Sequence, residues 1–403
     1  MAFNIALESP PPPSTLAAWW RELESRATAT FFTSWSWIGC WLNILPSHLQ
    51  PQLLIAREGD IIVGLGLVIR GRSHLLRVIP VPCWRLHATG EVEFDSLTIE
   101  YNGFLAEESR AVPIKDAMLD FLLTRTGVSR FEITKAEARF AELAAAHQQR
   151  GVLVRTAELA SYIVDLNEVR QQAEGYIPLL SANTRSQVRR SLSGYRKLGD
   201  VTLTQAGSAQ EAKAFLNALR ALHAQKWEER GEESAFVNSK VAEQFHDLVI
   251  NEAFDRGEIQ LLRILVGDTE LGYLYNFVHR GRVVFYQSGF RTGLLDKQDR
   301  PGLVCHALAI EHNAQTGQHI YDFTAGDYRY KSSLATGREP QGTHVFQRDG
   351  VLPRLEEGLR SGKQWVNAMR NRSSVAAMLL LGVMSCLDLV DLYVPAGLIG
   401  STW

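Results

Sequence analysis

The chain has 403 residues, 46% of them hydrophobic and 21% charged, with a formal net charge of -2 and a pI near 6.6. That length suits about two or three domains and a core large enough to need neither metal nor disulfide. The near-neutral balance argues against wholesale nucleic-acid binding driven by charge, while leaving room for a local basic face. Cys40, Cys83, Cys305 and Cys386 form no C-x-x-C and have no histidine at ligand spacing. They read as buried thiols in a reducing, cytoplasmic setting, and no metal is expected.

In chain order, the start (MAFNIALESPPPPS) lacks a basic region and a long apolar run, so it does not read as a secretory signal. A tryptophan-rich helical stretch spans Phe31–Leu45. Strands are expected at Leu53–Glu58 and Ile61–Gly71, joined by the hairpin signal Gly59-Asp60, then at Leu75–Val81 and Glu93–Leu97. Apolar spacing predicts a helix at Val112–Thr124, followed by a strand at Arg130–Lys135 and a helix at Ala138–Arg150.

The second half repeats the theme. A strand at Ser161–Leu166 leads to a basic helix, Ser181–Leu198, with Arg185, Arg189, Arg190, Arg196 and Lys197 and no acidic residue. This helix is either a solvated face or a dock for a phosphorylated partner. Helices at Ala209–Glu229 and Ser239–Arg256 precede strands at Ile259–Val266, Leu271–His279 and Arg282–Phe290. A strand and a helix, Leu352–Asn371, follow Pro340. The expected fold is therefore mixed α+β. Two tandem units span 1–160 and 161–351, meeting near 158–165, each with a largely antiparallel sheet flanked by helices. A helical tail covers 352–403. Its apolar run, Val375–Leu387, is too short for a bilayer. It reads as a helix docked on the protein or a second subunit, with peripheral membrane contact as the alternative.

Between β-type FYQSGF (Phe285–Phe290) and an apolar helix lies Asp299-Arg300-Pro301-Gly302. Proline suits a first helical turn, where its missing N–H would be unpaired anyway. The N–H groups of Leu303, Val304 and Cys305 can then meet an anion, with Gly302 permitting close approach and Arg300 adding charge. Beyond the helix, Asp322, Asp327, Tyr328, Tyr330 and Lys331 crowd one short segment.

The motifs Lys226-Trp227-Glu228-Glu229-Arg230-Gly231, FYQSGF, the Pro-Gly helix start and D-F-x-x-G-D-x-x-Y-K (Asp322–Lys331) together resemble a known family. It is the GNAT-superfamily acetyltransferase domain of FemAB-like and BioF-like proteins, some labelled as cellulose- or exopolysaccharide-biosynthesis proteins. The resemblance covers Phe31 to Val351 and is densest from Leu219 to Lys331. The Q/R-x-x-G-x-G/A loop of ordinary GNAT enzymes is missing.

The resemblance implies two GNAT-like folds and an acyl donor, acyl-CoA, held by Arg300, Gly302, Leu303 and Val304. Around it, Asp322 is expected as a base or as a salt-bridged carboxylate. Lys331 would steady an oxyanion, Tyr330 would protonate the leaving thiolate, and Asp327 would shape the turn. Tyr286 reads as a general acid or a packing residue. Gln287 is its strand neighbour, and Trp227 lines the acceptor cleft or packs. The expected activity is acyl transfer to an amine or hydroxyl of a small molecule or glycan. The alternatives are a FemAB-type aminoacyl transferase using aminoacyl-tRNA and a non-catalytic assembly protein of a polysaccharide-export system.

Overall fold

The protein is seen in a computed structural model that describes residues 3–372 apart from 77, 230, 232 and 233. The apolar run at 375–387, Cys386 and Arg230 of the tryptophan motif therefore lie outside the described residues. Thirteen strands form one sheet. In chain order they are β1 (Asn4–Glu8), β2 (Gln52–Glu58), β3 (Ile61–Leu75), β4 (Ile79–Leu86), β5 (Leu105–Ala106), β6 (Arg130–Ala136) and β7 (Leu153–Asp165). The second half adds β8 (Val201–Gln205), β9 (Ile259–Val266), β10 (Thr269–His279), β11 (Arg282–Phe290), β12 (Ile320–Ala325) and β13 (Gly337–Gln347).

Their order across the sheet is β1-β2-β3-β4-β6-β13-β7-β12-β11-β10-β9-β8, with β5 beside β3. Read inward from either edge, the pattern is the same. Neighbours are antiparallel until β4 meets β6, or β11 meets β12, in parallel. Each unit then receives a last strand from the other. β7 follows β6 in the chain yet pairs with β12, and β13 follows β12 yet pairs with β6. The two exchanged strands pair along their whole common length, Gly337 opposite Ile163 through Gln347 opposite Leu153. The expected seam near 158–165 falls inside β7.

Three cores fill the layers. On one sheet face, helices Pro13–Ser25 and Trp35–Ile44 share a single core with helices Ala209–Glu228 and Lys240–Ala253. Phe31 stacks on Phe277 at 4.2 Å, and Trp37 meets Phe245 edge-on at 4.7 Å, so aromatic rings join the two units. The outer faces are covered separately, by helices Ala111–Arg125 and Arg139–Gln149 in the first unit and by Ala182–Arg196 and Pro301–Gln315 in the second.

Two local expectations differ. The segment expected as a strand at Leu75–Val81 is strand at both ends, where Leu75 closes β3 and Ile79–Val81 open β4, but turns between them, where Leu76 takes a left-handed backbone (φ 50°). Glu93–Leu97 is not a strand: Val92–Asp95 forms a short helical turn, because the Asp95 carboxylate accepts the N–H groups of Thr89 and Gly90 at 2.7 Å and closes the chain on itself.

Candidate active site

The parallel pair β11–β12 is short, from Arg282 opposite Ile320 to Val284 opposite Asp322, after which the strands diverge. Divergence begins at a β-bulge. Tyr275 of β10 lies opposite Gln287 and Asn276 opposite Phe285, so Tyr286 is the extra residue. A bulge re-aims side chains where it occurs. In the first unit the matching opening between β4 and β6 is closed. Asn102 donates its N–H to Lys135 O and its side-chain amide to Leu86 O, both at 2.9 Å, and accepts from Glu137 N at 3.0 Å.

The same loop reaches into the second unit. Tyr101 donates its hydroxyl to Asp322 at 2.6 Å, and Leu97 O accepts the Tyr286 hydroxyl at 2.6 Å. Glu100, buried, accepts from Ala325 N at 3.3 Å and from Lys135 Nζ at 2.5 Å. Residues from both units therefore roof the β11–β12 opening. Five of the eight non-glycine residues with left-handed backbone among the described residues belong to this region: His87, Thr98, Tyr101, Lys135 and Thr324. Such conformations cost about 1–3 kcal/mol each and gather at functional sites. A cavity of ≈ 30 Å³ lies on the first-unit side, walled by Trp37, Trp41, His87, Thr98, Thr134 and Lys135 among others.

Asp322 is fully buried, and its two oxygens accept from Tyr101, Ser161 (2.8 Å), Thr324 N (2.8 Å) and Arg282 Nη1 (2.7 Å). Four donors, one of them the Arg282 guanidinium, occupy both oxygens, so the carboxylate is held as a structural partner and the expected base role is corrected. Its charged partner is Arg282, which also pairs with Glu339. Lys331 is 4% exposed and donates to Ala325 O at 2.9 Å and to Thr324 O and Oγ1 at 3.3 Å. Burial lowers its ammonium to about 8, with Glu100 opposing the shift and Lys135 adding to it. Tyr330 stacks on buried His306 at 5.8 Å, and burial raises its phenol, which keeps its proton at neutral pH. Asp327 is exposed and accepts from Tyr162 at 3.0 Å.

Helix Pro301–Gln315 begins behind Arg300, with no side-chain cap. The Val304 N–H already donates to Arg300 O at 3.2 Å. Val304 is thereby withdrawn as an anion donor, leaving the amides of Gly302 and Leu303 ahead of the first intrahelical bond. A Cβ at Gly302 would sit 3.1 Å from the Phe290 ring, so the missing side chain makes room for that ring. Arg300 is exposed, and its N–H meets Ser191 Oγ of the basic helix at 3.1 Å. Gln287 turns its amide oxygen back to Ser288 N. Trp227 is buried beside His223 at 5.7 Å, in the helix layer. Tyr101, Glu100, Lys135, Ser161 and Arg282 were not singled out by sequence. They come from distant segments, and no local pattern marks them.

Residues 182–332 match the family model described as an acetyltransferase (GNAT) domain. Among solved structures the chain is similar to FemX, with a TM-score of 0.54 at 9% identity, covering 89% of this chain and 99% of that one. It is also similar to the C-terminal domain of a putative lysylphosphatidylglycerol synthetase from Agrobacterium fabrum, with a TM-score of 0.51 at 9% identity over 84% and 92% of the two chains. No curated protein matches the chain. The second half thus carries a GNAT-type domain, and the fold is that of two tandem GNAT-like units.

Proposed function

We propose that the protein is an acyltransferase that moves an acyl group from acyl-CoA to an amine or hydroxyl acceptor, in polysaccharide or cell-envelope biosynthesis. The observation that carries this reading is the β11–β12 opening. Unspent backbone amides of Gly302 and Leu303 lie at one end, and the buried ammonium of Lys331 lies under the other strand. A helix start favours a pyrophosphate. A buried cation stabilises negative charge that develops on a thioester oxygen under attack.

In this mechanism the acceptor attacks the thioester carbonyl directly, a C–N or C–O bond forms as the C–S bond breaks, and Tyr330 passes its proton to the leaving thiolate while taking up the proton that the acceptor loses, so the phenol is restored. No covalent enzyme intermediate is formed, so rate comes from positioning and from the field at the oxyanion. Arg282 and Asp322 hold β11 and β12 at the point of divergence and are positioning residues.

A second reading, aminoacyl transfer from aminoacyl-tRNA, is favoured by one feature. The basic helix Ala182–Arg196 docks directly at the donor helix start, through Ser191 to Arg300 N and Tyr195 to Asp299 (2.5 Å), with Arg189, Arg190 and Arg196 exposed. Purified protein is incubated with acetyl-CoA, longer acyl-CoAs or aminoacyl-tRNA and a panel of amine and hydroxyl acceptors, and product is read by mass. Acyl product from a CoA thioester supports the first reading, and product from aminoacyl-tRNA alone supports the second. Product from neither, with neither donor bound, returns the chain to a non-catalytic role.

A further inference from the structure

One set of buried polar groups takes no part in the site above. Helices Ala209–Glu228 and Lys240–Ala253 pack together against β10 and β11. Arg220 lies between them with Nε and Nη2 buried and without hydrogen-bond partners, and among the described residues no carboxylate pairs with it. Its guanidinium stands 5.5 Å from the centre of the Phe236 ring. That ring also meets His246 at 5.3 Å, and His246 is fully buried with Nε2 unpartnered.

Buried guanidinium N–H groups without a hydrogen-bond partner are costly, because they lose water and meet only the Phe236 ring. Here two such N–H groups and the Nε2 of His246 belong to side chains that both lie against the Phe236 ring. Burial, and then the Arg220 charge, hold the His246 imidazole well below its usual range, so it stays neutral. The Tyr275 hydroxyl lies 3.4 Å from Nδ1, and burial raises it so that it keeps its own proton. Tyr286 joins this region to the site: its ring is 5.0 Å from His246, and its hydroxyl reaches Leu97 O. The Tyr286 phenol is raised by burial and further by Glu100, while Arg220 opposes the shift, so it lies within the field of both charges.

We propose that Arg220, on the helix Ala209–Glu228, is the counter-charge for an anionic group of the acceptor, a carboxylate or a phosphate. Arginine's planar fork suits both anions. The assignment of the anion to the acceptor rests on the acyltransferase reading; the anion site itself does not.

The probes are acetate and inorganic phosphate, with chloride at matched ionic strength as reference. The full chain carries isotope-labelled arginine, and the Arg220 Nε–H resonance is identified by its loss in Arg220→Lys. Acetate or phosphate should move that resonance saturably, and chloride should not. In calorimetry, folded Arg220→Ala should bind the same probe about tenfold or more weakly, the loss of one charge-assisted hydrogen bond. Arg220→Lys should recover part of it. The probe that acts distinguishes carboxylate from phosphate. A resonance unmoved by both, or moved equally by chloride, overturns the proposal, as does folded Arg220→Ala that binds as tightly as wild type. If Arg220→Ala does not fold, the wild-type resonance still decides. No acyl donor is present, so failure here and failure of the transfer reading are separate results.

Discussion

At the scale of single residues, Asp322 and Lys331 divide the work that the motif suggests they share. Asp322 is spent on holding Arg282, Tyr101 and Ser161. Asp322→Asn removes a buried charge and leaves Arg282 partly uncompensated, which should cost on the order of 3 kcal/mol in denaturant unfolding. Asp327→Asn, at an exposed position, should stay within about 0.5 kcal/mol. Equal midpoints for the two variants would contradict the structural role of Asp322. Lys331 makes a pH prediction. Its ammonium is lowered from 10.5 to about 8 in the folded state. The unfolded chain then binds more protons between those values, so stability rises with pH across that window and is lost as pH falls through about 8. Lys331→Met should remove this rise, measured as the difference between the two proteins from pH 7 to 10.5. If Lys331 acts as a cation, turnover should fall as pH rises through about 8; a rise with pH would make it a base instead. Asp322 and Lys331 were legible in the sequence because they sit in one short motif. Tyr101, which touches Asp322 across 221 positions of chain, was not, since only folding brings the two together.

At the scale of elements, local signals read well wherever the physics is local. The Pro-Gly start sets the helix that runs Pro301–Gln315, and Gly59-Asp60 sets the β2–β3 hairpin. The glycine at 302, read as a phosphate neighbour, also leaves room for the Phe290 ring, which lies 3.1 Å from where a Cβ would sit, a contact that no sequence window contains. Gly302→Val should therefore lower thermal stability by about 1–3 kcal/mol through overpacking, and adding Phe290→Leu should restore part of it. A stable Gly302→Val protein with no gain from Phe290→Leu would contradict that packing. The strand expected at Glu93–Leu97 failed for a related reason. Asp95 finds backbone partners in the turn before it and closes the chain into a helical turn.

At the scale of the whole molecule, the repeated hairpin-and-helix theme foretold two units, but not the exchange of β7 and β13, because strand order leaves no periodic trace. The exchange makes each unit incomplete without the other: Phe346 of β13 packs on Phe131 of β6 in the first unit's core. Cut before Leu153, the two parts should aggregate or stay molten when expressed singly, since β6 in the first part and β13 in the second become open sheet edges, and should associate when co-expressed. A first part that folds alone with native-like cooperativity would count against the exchange. The central claim is that the second unit's opening holds an acyl-CoA by its helix start. The most direct measurement is calorimetric titration of acetyl-CoA into wild type and Arg300→Glu, an exposed change that leaves folding intact. The account predicts saturable binding to wild type, weakened about tenfold or more by the reversed charge beside the pyrophosphate and with less dependence on salt. Wild type that binds no acetyl-CoA, or Arg300→Glu that binds it equally well, would contradict it.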